Sequence, residues 1–120
     1  MRSPEMPLIW AKRTQQTWCK LFDLDLDLIR TYGVYVLWHG GFPSRVVRIG
    51  HGDISTELKE CCVDSRVVLY LADGPLFVTW AGADASDAPG IHLYLADSLR
   101  PLIEDRAAPN VFAIAARAPF

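Results

Sequence analysis

An α+β domain with a small antiparallel sheet flanked by helices is the fold class this sequence predicts, on three observations. Two stretches rich in β-branched and aromatic residues, Val34-Tyr-Val-Leu-Trp38 and Arg45-Val-Val-Arg-Ile49, stand either side of the turn-dense His39-Gly-Gly-Phe-Pro-Ser44, the pattern of a hairpin with a medium loop. Ile54, Leu58 and Cys61 then recur at helical spacing, and so do Ile91, Leu95, Leu99 and Leu102 further on. The length of 120 residues, with 51% hydrophobic and 22% charged, is that of one globular domain whose own core suffices without disulfides or a structural metal. The expected order is β-β-α-β-α over residues 33–120, preceded by an N-terminal extension over residues 1–32.

In the extension, Trp10 and Trp18 are the expected anchors on the core. Its most regular stretch is Asp23-Leu24-Asp25-Leu26-Asp27-Leu28, an alternation that suits a half-buried strand with aspartates outward. A loop capped by Asp27 before one helical turn is the alternative. A carboxylate metal cluster is a third reading, but the turn and glycine of a calcium loop are missing. After the hairpin, Gly50 and Gly52 end the second strand, and Asp53 or Ser55 caps the first helix. Val67 to Ala72 and Leu76 to Ala81 flank Asp73-Gly74 and predict a second hairpin. Pro75 requires that one of these strands start late or lie on an edge. Gly82 to Gly90 is expected to be a surface loop, Pro101 to end or kink the second helix, and Ala107 to Phe120 to pack back as an extended tail.

Twelve Lys and Arg against fourteen Asp and Glu give a net charge of -2, so no global basic field gathers a polyanion. Any nucleic-acid patch has to be local. The three cysteines, Cys19, Cys61 and Cys62, form no useful disulfide loop and no zinc spacing. They are expected to be small core or boundary residues of a reduced, cytoplasmic protein. The first residues are broken by prolines and charges before an apolar run forms, unlike a secretory signal, and no stretch approaches a membrane span.

Phosphate-loop, dinucleotide-binding, zincin and nucleophile-elbow motifs are missing. The His39-Gly40-Gly41 triplet has no nucleophile elbow to serve and reads as a turn. His39, His51 and His92 come from three different elements and read as unrelated surface or boundary residues.

One constellation carries a resemblance. Gly33-Val34-Tyr35 and, beyond the turn, Arg48-Ile49-Gly50 opening into a helix resemble the paired strands that name the GIY-YIG nuclease superfamily. The later segment Gly90-Ile-His-Leu-Tyr-Leu-Ala-Asp-Ser-Leu-Arg-Pro101 resembles the helix that carries that family's glutamate. The resemblance implies the fold already read from the pattern. It also implies a site in which a divalent metal on the helix glutamate, two strand tyrosines and an arginine of the first helix cut a phosphodiester. That chemistry needs a Lewis acid, a positioned base and a cation facing the phosphate.

Matched position by position, Tyr35 corresponds to the first tyrosine, Arg48 stands at the second, Glu57 at the arginine and His92 at the glutamate. Glu57 places negative charge where the phosphate would lie, and His92 suits a hard cation such as magnesium poorly. Lys59 is the nearest cation that could stand in for the arginine. Arg48 and Glu57 either form an ion pair filling the former phosphate pocket or both face solvent, and the Tyr35 hydroxyl is expected to bond to Glu57 or His92. The implied function is a catalytically inactive domain that binds a protein partner or nucleic acid, with His51, Lys59 and Arg45 as binding candidates and no cofactor or metal. The alternative is a magnesium- or manganese-dependent endonuclease with a rearranged site. A structural homodimer is the third reading.

Overall fold

A computed structural model describes residues 5–13, 17–105 and 110–120. Its named elements are β1 (Cys19–Lys20), β2 (Tyr32–His39), β3 (Arg45–Asp53), α1 (Ile54–Val63), α2 (Ser65–Val68), β4 (Leu76–Gly82) and α3 (Ala88–Leu99). The strands form one antiparallel sheet in the order β1-β4-β2-β3. The α+β class and the order β-β-α-β-α are those expected, with the two-residue β1 added by the extension and the four-residue α2 inserted between α1 and β4.

β2 is central, and every residue from Gly33 to His39 is buried, as a strand covered on both faces requires. Its side chains alternate between two cores. Tyr35 and Leu37 join Ile54, Leu58 and Cys61 beneath α1. Val34, Val36 and Trp38 join Ile91 and Leu95 beneath α3.

β3 departs from strict alternation at one point. Leu37 pairs with Arg48 but Trp38 with Val46, so Val47 is an extra residue, the mark of a β-bulge. Val47 belongs to the core under α1, and Arg48 also reaches α1, through Cys61. Ile49 then faces the α3 side. The bulge therefore lets a buried valine and a charged arginine use the same face in succession.

Asp53 caps α1 by accepting from the Thr56 N–H at 3.1 Å, which settles the choice between Asp53 and Ser55. Where a second hairpin was expected, Val67 and Val68 belong to α2 and residues 69–72 to a 3-10 turn. The Asp64 carboxylate accepts from the Arg66 N–H and starts this helical run. A short apolar run does not by itself distinguish helix from strand, and the cap decides it here. Gly74, at φ 155, then admits the chain to β4, and a Cβ there would lie 2.8 Å from the Gly41 nitrogen. Pro75 directly precedes β4, which starts late in the expected manner and lies inside the sheet.

The Asp-Leu alternation is not a strand. It folds as 3-10 turns at Leu21–Asp23 and Leu26–Leu28, the second capped by Asp25 rather than Asp27. Leu24 and Leu26 still pack on the core under α1, while Leu28 is exposed. With edge pairing taken up at Cys19–Lys20, tight turns bring these leucines back toward the core.

α3 starts at Ala88, inside the expected loop, and Arg100 in the left-handed conformation (φ 51) ends it before Pro101. Leu102 lies beyond the helix and donates its N–H to the Val46 carbonyl. Trp10 and Trp18 pack under the α3 side as expected, and Trp18 meets Trp38 edge-on at 5.3 Å between centroids. Of the tail expected over Ala107–Phe120, its first residues, 107–109, lie outside the described set. Ile114 donates to the Gly90 carbonyl at 2.9 Å, an approach so close that a Cβ on Gly90 would meet the Phe112 oxygen at 2.5 Å. Among the described residues no helix is long and apolar enough to cross a membrane.

Candidate functional site

Tyr35 sits on β2 facing α1, fully buried, directly opposite Gly50 in the strand register. Its ring fills the space a side chain at 50 would need: a Cβ there would lie 2.5 Å from both Cε1 and Oη of Tyr35. The Tyr35 hydroxyl is approached by Cys61 Sγ at 3.6 Å, not by Glu57 or His92. Burial and the neighbouring Cys61 push the phenol well above its ordinary pKa, and burial raises the Cys61 thiol too. Both groups are therefore protonated at neutral pH.

Arg48 lies across this pair. Its Nε donates to Asp105 Oδ2 at 2.9 Å, and its Nη1 lies 3.4 Å from Asp64 Oδ2 and 4.0 Å from Cys61 Sγ. Burial alone disfavours its charge, but its pKa lies above the ordinary arginine value, with the ionised, hydrogen-bonded Asp105 favouring the charged form. Asp64 also holds Arg66 Nη2 at 2.9 Å. Neither arrangement expected for Arg48 and Glu57, an ion pair or both facing solvent, is formed: Asp64, at the α1–α2 junction, and Asp105, on the segment after α3, both reach the guanidinium, and Arg48 and Glu57 are both partly buried. Glu57 instead lies against Gly52, where a Cβ would be 3.2 Å from its Cγ. Burial first, and Glu60 second, raise the pKa of its carboxyl.

His92 is on the opposite side of the sheet. From α3 its Nδ1 lies 2.8 Å from Nδ1 of His51 on β3, with ring centroids 5.1 Å apart. Two of the three histidines are thus partners across elements, and nothing in their spacing announces it. A contact between two Nδ1 atoms requires one to donate and the other to accept, so the rings cannot both be protonated there. Burial, reinforced by His51, pulls the His92 pKa down to about 4, and burial lowers His51 as well. His39 is separate, buried and stacked on Tyr70 at 6.0 Å, with Nδ1 accepting from the Gly41 N–H.

Tyr35, Arg48 and Glu57 therefore share the α1 face, His92 and His51 the α3 face, and Asp105 stands at the sheet edge between them. Lys59 is exposed and paired with Asp27, while Arg45 borders a shallow hollow with Phe42 and Tyr70. Asp64 and Asp105 are the partners that sequence reasoning missed. Asp64 carried a trace as a cap residue, and Asp105 carried none.

Beside the histidine pair, a cleft of about 290 Å³ opens between α3, β3 and the segment after α3. Ile49, Leu93, Ala96, Ile103 and Val111 form its apolar walls. His51 and His92 line it, and Asp97, Glu104 and Asp105 supply its charge.

The divalent metal implied by the resemblance finds no fitting donor set. The carboxylate position holds a histidine whose Nδ1 is engaged by His51, and no group of three His, Cys, Asp or Glu among the described residues is placed to hold a metal ion. No family model, curated protein or solved structure matches this chain.

Proposed function

We propose that this chain is a catalytically inactive, GIY-YIG-like domain of a cytoplasmic protein that acts as a binding module for a protein partner. The observation carrying this reading is the internal neutralisation of Arg48. Of the four family-equivalent positions it holds the one cation, and that cation is occupied by Asp105 and Asp64. A phosphate entering there would have to displace two carboxylates, and like charges about 4 Å apart repel by about 4 kcal/mol at the effective dielectric of a protein surface. Tyr35 is equally committed, buried beneath α1 with its hydroxyl against Cys61. The three free thiols, Cys19, Cys61 and Cys62, support the reducing compartment. The acidic border of the cleft favours a protein partner over nucleic acid.

The deciding experiment incubates the purified chain with magnesium or manganese and single- or double-stranded DNA. No cleavage is expected under either metal. Metal-dependent cleavage abolished by Tyr35→Phe or His92→Ala would establish the rearranged endonuclease instead.

A further inference from the structure

We infer that the cleft between α3 and the edge of β3 is a docking site for a basic, aliphatic peptide segment: one or two branched aliphatic side chains in the slot, with lysine or arginine flanking them. This rests on the proposed role as a protein-binding module and names the kind of partner it takes.

Size gives the first argument. The volume of about 290 Å³ is near the lower bound of about 300 Å³ at which small-molecule pockets begin. It suits anchoring side chains. The walls give the second. Ile49, Leu93, Ala96, Ile103 and Val111 offer aliphatic surface, and transferring an aliphatic side chain from water onto such surface is favourable without any directional contact.

Charge decides the flanking residues. Asp97, Glu104 and Asp105 all border the cleft and are exposed, and none of its described lining residues is a lysine or arginine. Arg48 answers Asp105 from the α1 side of the sheet edge, which leaves Asp97 and Glu104 without an ion pair among the described residues. The histidine pair adds no positive charge at neutral pH, since a bond between two Nδ1 atoms holds at least one ring neutral and burial depresses both. An acidic peptide or a phosphate backbone would meet a border of its own sign. A basic segment meets the opposite one, and complementary border charge governs partner choice and approach rate more than total affinity.

The test is a titration of the isotopically labelled full chain, followed by amide chemical shifts. The probe is the capped peptide Lys-Leu-Ile-Arg, with its acidic twin Glu-Leu-Ile-Glu and a short oligodeoxythymidine as the other arms. The basic peptide is expected to move the amides of Ile49, Leu93 and Ile103 in a saturable manner, and the other two probes are not. The paired substitutions Asp97→Lys and Glu104→Lys, both on exposed positions, should weaken binding by about tenfold, as losing two exposed charge contacts allows. Ala96→Trp should abolish it by filling the slot, with the remaining spectrum reporting that the fold is kept. Equal shifts from the acidic twin, shifts from the oligonucleotide at the same amides, or no saturable shift from the basic peptide would each overturn the inference. DNA cleavage with peptide binding intact would remove the non-catalytic reading and leave the cleft. Loss of peptide binding without cleavage would remove the cleft alone.

Discussion

At the scale of single residues, the contact between His51 and His92 has the clearest consequence in solution. Folding holds His92 near a pKa of about 4, against an ordinary value of 6.5, by burial and by the facing His51. Asp105 opposes this shift and Arg48 adds to it. Between those two values the unfolded chain carries a proton that the folded chain does not, so stability falls as pH drops through this interval. Above about pH 7 this contribution is complete and flat. Glu57 works the other way, since its raised pKa favours the folded state on acidification. Asp53 and Asp64, whose pKa values are lowered by bonds to Thr56 and Arg66 respectively, lose their contributions only below the ordinary aspartate value of 3.8. Urea midpoints measured from pH 7.5 to pH 4.5, within the range the histidines control, should therefore decline. In His92→Leu the decline should be shallower, and an unchanged slope would show that the histidine pair does not titrate as described.

At the scale of elements, the pairing of β2 with β3 is built around one missing side chain. Tyr35 lies over Gly50 because their register makes them direct neighbours. Gly50→Ala should destabilise by about 1–3 kcal/mol, the usual cost of overfilling a packed core. Combining it with Tyr35→Leu should cost less than the sum of the two single changes, because the second removes the ring that the first strikes. Chemical denaturation of the four proteins measures this directly, and simple additivity would mean the clash is relieved elsewhere. The same strand pair shows how a local rule gives way to a tertiary one. Alternation alone would put Val47 and Arg48 on opposite faces, yet the bulge gives α1 both of them, the valine for its core and the arginine for Asp64.

At the scale of the whole molecule, the two faces of the sheet are closed differently. α1 and the leucine-bearing 3-10 turns cover one. On the other, α3 shares the work with the extension and the tail: Thr79 donates its hydroxyl to the Ala11 carbonyl, Trp10 Nε1 donates to Arg117, and Trp18 and Phe120 both stack edge-on against Trp38. The extension is thus part of this core. Trp18→Ala should cost about 2 kcal/mol in the same denaturation assay, less than the 3–5 kcal/mol of about the largest buried aromatic truncations, because Trp18 is only partly buried. A neutral effect would mark the extension as an independent arm.

The sequence by itself determined the class of fold and the order of its main elements, and it narrowed the cap of α1 to Asp53 or Ser55, since periodicity and capping are written in neighbouring residues; the central place of Val34 to Trp38 came from the tertiary structure. The resemblance grouped Tyr35, Arg48, Glu57 and His92, of which the first three lie on the α1 face and His92 on the other. Only the tertiary structure decided that Arg48 answers Asp64 and Asp105 rather than Glu57, and that His51 joins His92. The reason is distance along the chain. Asp105 and His92 reach their partners only after α3 and the segment beyond it have folded back along β3, and no local pattern encodes which side chain a returning segment will meet.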